Sequence, residues 1–308
     1  MNLQNRNRTL SIIIKSGIVA LSSWYILSHA RHHLVNEDIV TPMIDAFGSH
    51  RLLFTIVLLL MPINWMLESW KWKILASQIR KISLGKAMKG VLAGVTIGTA
   101  TPNRVGEFAG RIYSVDSDDK KNLLILSFVA SLCQVIVTVA TGSLVFFFHP
   151  EGSSSAERIF IVLAFSFIIL SVFLLLTGHI PVQWKTRFET LKNFSGKLFT
   201  KVLALSFLRY SVYVTQFFLL LFICDPSVGI IPTISSIAVA YLIVTLVPTF
   251  SVTEVLVRGS VAGMCIGNDD HLSAVAFYVA ALLWTINVAI PSLAGIYFVF
   301  RLQFFRKA

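Results

Sequence analysis

Six stretches of about twenty mostly apolar residues divide the chain: Leu10 to Ser28, Leu52 to Ser69, Asn122 to Phe148, Ile159 to Thr177, Lys201 to Cys224 and His271 to Phe300. Each is long enough to cross a hydrocarbon layer of about 30 Å as a helix rising 1.5 Å per residue. The pattern predicts six full membrane crossings. Two shorter apolar stretches, Leu84 to Ala100 and Ile230 to Val247, are rich in Gly, Thr, Ser or Pro and end at Pro102 and Pro248. Each runs into a polar segment and a second short helical run, giving hairpins over 84–120 and 230–268. Unpaired backbone at membrane depth survives only inside protein or beside water, so these are predicted to be broken, re-entrant half-helices.

The spacing repeats. Leu10 and Ile159 begin crossings 149 residues apart, as do Leu52 and Lys201, and Asn122 and His271. The chain therefore reads as a single integral membrane domain, 1–308, made of two copies of one unit, repeat 1 over 1–150 and repeat 2 over 151–308. Each copy holds three crossings and a hairpin, and an odd number of crossings turns the second copy upside down. The predicted fold is an all-α polytopic membrane protein with an inverted-topology internal repeat, a plan that places substrate near the midplane where broken helices meet.

Composition and charge sharpen this picture. Of 308 residues 56% are hydrophobic and 13% charged, against roughly 25% charged in soluble domains, and the mean hydropathy is +0.77. An ordinary soluble protein is excluded. The net charge of +11 lies between the apolar runs, so it reads as membrane topology and not as a nucleic-acid surface. Lys and Arg number 2, 6, 5 and 3 in the N-terminus, 71–89, 185–201 and the C-terminal tail, against 2, 1 and 0 in the alternate connections. The positive-inside rule then puts both termini in the cytoplasm. The N-terminal run carries Lys15 and no small-residue cleavage site before Arg31, so it is expected to be a retained helix. Cys133, Cys224 and Cys265 share no short spacing, and neither a disulfide framework nor a metal site is predicted.

Candidate chemistry sits at the hairpin tips. The first reads Thr101-Pro102-Asn103-Arg104-Val105-Gly106-Glu107-Phe108-Ala109-Gly110-Arg111 and the second Pro248-Thr249-Phe250-Ser251-Val252-Thr253-Glu254-Val255-Leu256-Val257-Arg258. Both carry Pro and then Glu-x-x-x-Arg, with the two Glu 147 residues apart. Glu and Arg four apart share a helix face, where their pairing is worth about 0.2–0.5 kcal/mol in water. In lipid each costs about 2.5–3.5 kcal/mol, so both should face protein or a wet cavity. Pro102, Gly106 and Pro248 are the predicted structural turn residues. A half-helix starting there directs backbone N–H groups at an anion, with Arg104, Arg111 and Arg258 as candidate partners for a phosphate and Glu107 and Glu254 for an amine or a proton. The alternative is that each Glu–Arg pair only neutralises itself. Arg209, within the fifth crossing, either adds a third cation to the same cavity or snorkels to the interface.

Other polar positions read more simply. His29, His32 and His33 are expected at the interface, and Asn64, Gln134, Gln216 and Asn287 as hydrogen-bond partners between helices. Trp65, Trp70 and Trp72 beside Lys71 and Lys73 suggest an aromatic and basic belt at the cytoplasmic surface. The sequence contains no nucleophile elbow, P-loop or paired metal-binding histidines, so neither an enzyme nor a cofactor is predicted.

The run Thr101-Pro102-Asn103-Arg104-Val105-Gly106-Glu107 with Arg111, preceded by Gly90-Val91-Leu92-Ala93-Gly94, resembles the T-P-x-R-x-G-E signature of the lysylphosphatidylglycerol synthase transmembrane-region family of flippase-like proteins. Pro248 to Arg258 is similar to its second signature, with Ser251-Val252-Thr253 in place of a Gly-rich approach to the Glu, and Trp70-Lys71-Trp72 to its aromatic-basic segment. No aminoacyl-transferase domain is recognisable in these residues, so the resemblance implies translocation of a lipid and not its aminoacylation. The expectation is a transporter of an anionic or aminoacylated phospholipid, or another lipid-linked substrate, between leaflets of a bacterial cytoplasmic membrane. A secondary transporter of a small anionic solute, or a membrane scaffold for a lipid-modifying enzyme, are the rivals. Membrane lipids are the expected partners, nucleic acid is not, and a second copy of the chain or a lipid-modifying enzyme would be compatible.

Overall fold

The computed structural model describes residues 37–99, 101, 104–148, 195–247, 249 and 251–300. They are helical with no strand among them: α1 Glu37–Ser49, α2 Arg51–Ala76, α3 Leu84–Thr99, α4 Gly106–Tyr113, α5 Lys120–Phe148, α6 Gly196–Cys224, α7 Ile230–Leu246, α8 Ser251–Ile266, α9 Asp270–Trp284, a π-helical turn Thr285–Ala289, and α10 Ile290–Val299. Ser195 and Asp269 start α6 and α9 by accepting from the Leu198 and Leu272 amides at 3.2 and 2.7 Å, which satisfies donors that a helix start leaves free.

Among the described residues, four helices are long and apolar enough to cross a membrane: Arg51–Ala76, Lys120–Val145, Gly196–Cys224 and the continuous run Asp270–Val299. They coincide with the second, third, fifth and sixth predicted crossings, as expected of an integral membrane protein. The first and fourth predicted crossings, the three histidines His29, His32 and His33, both chain termini, and Pro102 and Pro248 lie outside the described residues. Leu52, Leu59 and Leu293 project from these helices with most of their surface exposed, the character of a lipid-facing side.

Helices α2 and α6 pack on each other at the centre and feed both buried apolar clusters. Around them the short helices cross over. Helix α3, from the first part of the chain, packs on α10 at its end, where Gly295 fits against the Leu92 carbonyl and Thr96 donates to the Ser292 carbonyl at 2.6 Å. Helix α7, from the second part, packs on α5, where a Cβ at Gly142 would stand 2.7 Å from the Leu242 Cβ.

Helices α3 and α4 form a tight hairpin because glycines line their seam. Gly90, Gly94 and Gly98 recur every fourth residue on α3, and Gly106 and Gly110 do so on α4. A Cβ at Gly94 would lie 2.6 Å from the Glu107 carbonyl oxygen, and one at Gly110 would strike the Gly94 backbone. Small residues at this spacing let two helix backbones touch where apolar burial alone gives little attraction. The seam therefore holds Glu107 against the interior. In the second hairpin Gly259 and Gly263 of α8, and Gly267 just after it, face Phe277 and Ser273 of α9 instead of the partner arm.

Candidate functional site: a charge network between the hairpin tips

Glu107 lies in the first turn of α4 and Arg111 one turn later, so the two share a face and pair at 3.0 Å. Glu254 and Arg258 repeat this on α8 at 2.8 Å. The pairs do not close on themselves. Arg111 Nη2 also reaches Glu68 Oε1 of α2 at 3.0 Å, and Glu68 Oε2 takes Lys71 at 2.8 Å and Arg209 of α6 at 3.0 Å. From the other end, Arg104 places Nε 2.6 Å from Glu107 Oε1 and Nη1 3.7 Å from Glu254 Oε1. One chain of ion pairs thus runs Lys71, Glu68, Arg111, Glu107, Arg104, Glu254, Arg258, with Arg209 branching from Glu68. Five cations face three carboxylates.

The joint of this chain is Arg104. Its φ of 56° lies in the left-handed region, uniquely among non-glycine residues described, a conformation that costs an L-residue roughly 1–2 kcal/mol. The strained backbone turns the side chain back over the start of α4, where it faces acids of both hairpins. Strain held at such a point marks a position shaped by more than local preference.

The network borders a partly open cavity of about 680 Å³ whose walls include Asn64, Arg104, Gln134, Arg209, Tyr241 and Arg258. A smaller cavity of about 210 Å³ adjoins Glu107 and Asn287. Asn64, Gln134 and Arg209 fall at or beside the midpoints of α2, α5 and α6, so the polar centre lies halfway along apolar helices. Arg209 is fixed there by Nε donating to Asn64 Oδ1 at 2.7 Å and by its guanidinium stacking 5.1 Å from the Trp65 ring. Tyr213 and Tyr210 lean edge-on against Tyr241, with ring centroids 5.1 and 6.2 Å apart, and form an aromatic wall.

A neutral polar bridge holds α2, α6 and the π turn in register beneath the cavity. Gln216 donates to the Val57 carbonyl at 2.8 Å and accepts from Asn287 Nδ2 at 3.1 Å. Pro291 has no N–H for the Asn287 carbonyl four residues earlier. The Trp65 indole donates to that carbonyl instead, at 3.1 Å.

Of the sequence-predicted site residues, Arg104, Glu107, Arg111, Arg209, Glu254 and Arg258 all fall in one network. Arg209 faces the cavity and not an interface, because Glu68 and Asn64 lie one turn apart on the facing helix. Gly106 starts α4 pressed against Ile97, whereas Pro102 and Pro248 are outside the described residues. Asn64 and Gln134 line the cavity as well as bonding between helices. The aromatic and basic belt is corrected. Lys71 and Trp72 are 1% and 0% exposed and Trp65 5%, leaving only Trp70, at 51%, with the exposure of an interfacial ring. Glu68 one turn before Lys71 draws that ammonium inward, where Ala130 O and Ser206 Oγ also accept from it at 3.2 and 3.4 Å. Glu68, at the centre of the network, is the residue missing from the sequence-predicted set, although an acid inside an apolar run points by cost alone to a partnered interior position.

The chain matches no protein-family model, no curated protein and no solved structure.

Proposed function

We propose that the chain is a membrane transporter that moves a phospholipid or other lipid-linked substrate with a charged head group between leaflets, through the cavity between the two hairpins. The observation that carries this reading is the shared network, in which Arg104 faces both Glu107 and Glu254 beside a cavity halfway along apolar helices. Charges at that depth are costly even when paired and mark a path or a ligand site, and a surplus of cations draws an anionic group into a low-dielectric site.

The packing supports the duplication of 1–150 and 151–308. Helix α3 on α10, α7 on α5, and α2 on α6 is the exchange expected from a pseudo-twofold axis in the membrane plane. In this reading the two undescribed apolar runs complete six crossings, α3–α4 and α7–α8 are re-entrant, and both termini face the cytoplasm of a bacterial cell. The lipid substrate is favoured over a free solute by the cavity wall at the end of α7, where Val244, Leu246 and Val247 line it and Leu246 is half exposed. Such an apolar rim suits an acyl chain left outside while the head group enters. A scaffold without transport would instead need tightly filled hairpins with no cavity.

The test is transfer of a head-group-labelled anionic phospholipid between leaflets of proteoliposomes. Glu107→Gln and Glu254→Gln are expected to slow transfer at least about tenfold, the effect of ~1.4 kcal/mol, in protein that remains monodisperse. Transfer at the native rate in both variants would reject the reading.

A further inference from the structure

The transport reading leaves the head group open between anionic and amine-bearing classes, and the distribution of charge within the site separates them. Glu68 is shared by Lys71, Arg111 and Arg209, Glu107 by Arg104 and Arg111, and Glu254 by Arg104 and Arg258. Each carboxylate already faces two or three cations, and the network holds a formal surplus of two positive charges. The surplus is on the wall. Arg104, Arg209 and Arg258 keep 21%, 23% and 22% of their side-chain surface and line the larger cavity together with Glu254, which keeps 4%, whereas Glu68, at 2%, does not reach it. Glu107, at 18%, faces the smaller cavity. An ammonium group entering the larger cavity would meet three guanidinium groups against one carboxylate, Glu254, which Arg104 and Arg258 already share.

The rest of the wall calls for neutral polarity. Gln134, Thr138, Tyr210, Tyr213 and Tyr241 line the same cavity. Gln134 Nε2 donates to the Ser206 carbonyl at 3.4 Å, while its Oε1 is buried with no hydrogen-bond partner. A buried acceptor left open is costly and is usually satisfied by water or a ligand. A hydroxyl of the substrate would satisfy it once the Gln134 amide turns toward the cavity it lines, and a tyrosine wall suits the C–H faces of a polyol. The volume of about 680 Å³ is in the range of sites for small organic ligands and would leave a bare phosphate loosely held.

We propose that the site takes a net-anionic phosphate ester carrying free hydroxyls, of the glycerol-phosphate or sugar-phosphate kind, and rejects head groups made cationic by an aminoacyl ester. Arg104, Arg209 and Arg258 hold the phosphate, with Arg able to offer two parallel donors, and Gln134 and Thr138 hold the hydroxyls. This rests on the transport reading but is tested by binding alone.

The full chain, purified in nanodiscs, is loaded with labelled phosphatidylglycerol, which is displaced by unlabelled phosphatidylglycerol, phosphatidic acid, lysyl-phosphatidylglycerol, glycerol phosphate or inorganic phosphate. Phosphatidylglycerol is expected to compete about tenfold better than its lysyl ester and about threefold better than phosphatidic acid. Gln134→Leu and, separately, Thr138→Val are expected to shrink the preference over phosphatidic acid, while Arg258→Gln weakens both lipids together. Glycerol phosphate competing as well as phosphatidylglycerol would uphold the head-group assignment with a soluble ester as its source, and weak competition by it would uphold it for the lipid. Equal or better competition by the lysyl ester, by phosphatidic acid or by inorganic phosphate would overturn the proposal, as would an unchanged preference in both the Gln134 and Thr138 variants. A chain that binds as expected yet moves no lipid would contradict the transport reading and leave this one standing. One that binds and moves the lysyl ester preferentially would do the reverse.

Discussion

Arg104 Nη1 and Glu254 Oε1 stand 3.7 Å apart although 150 residues separate them in sequence, and this pair joins the first hairpin to the second. Since the same guanidinium holds Glu107 at 2.6 Å, removing it uncouples two acids at once. A double-mutant cycle between Arg104→Gln and Glu254→Gln is expected to give a coupling energy of about 0.5–3 kcal/mol, read from unfolding in denaturing detergent. Additive effects would place the two groups out of contact.

The left-handed backbone at Arg104 makes a separate prediction. Arg104→Gly and Arg104→Ala both lose the charge, but only glycine adopts a φ of 56° without steric cost. The glycine variant should be the more stable by about 1 kcal/mol, measured as a difference in unfolding midpoint. Equal stability would show that the backbone relaxes.

Glu68 collects three cations while 1% exposed. Glu68→Gln leaves those cations without their shared anion and is expected to cost about 3–5 kcal/mol, the range for breaking a buried pair from one side. The paired change Glu68→Leu with Lys71→Leu removes one charge of each sign and should be less damaging than the single replacement. Thermal unfolding of the three proteins in one detergent checks the order.

Glycine substitutions should divide by the space they meet. Gly110→Ala drives a methyl into the Gly94 backbone, with no flexible side chain to yield, and is expected to destabilise by about 1–3 kcal/mol. Gly85→Ala meets nothing within 4 Å in the first turn of α3 and should be neutral or stabilising by up to about 1 kcal/mol. Unfolding midpoints compare the two.

Trp65→Phe removes the donor to the Asn287 carbonyl and leaves a buried acceptor open, at a cost of about 1–3 kcal/mol. Pro291→Ala restores a backbone N–H near that carbonyl and should recover part of the loss in the double variant. No recovery would mean the π turn holds the carbonyl out of reach.

Much of this architecture is written in hydrophobic run length. Asn122 to Phe148 and Lys201 to Cys224 appear as helices Lys120–Phe148 and Gly196–Cys224, because twenty apolar residues have few other stable arrangements in lipid. The extra turns of α2 escaped the pattern because Lys71 is drawn inward by Glu68, Ala130 and Ser206, and the five residues before Lys201 because Lys197 and Thr200, exposed on α6, interrupt the apolar run. Lys71 is the clearest example: beside three tryptophans it reads as an interfacial cation, and only Glu68 and the Ser206 hydroxyl of α6 reveal its interior place. The two Glu-x-x-x-Arg pairs were legible through their spacing. That Arg104 would bridge them was not, since it depends on a left-handed residue and on how α8 sits against α4, and local sequence does not determine either.

Transport through this cavity requires that the cations facing it carry the head group. Leaflet-to-leaflet transfer of labelled phosphatidylglycerol, compared in proteoliposomes for the native chain, Arg258→Gln and Arg209→Gln at matched protein density, measures this. Both variants are expected to transfer at least about tenfold more slowly while the protein stays folded. Native rates in both would contradict it.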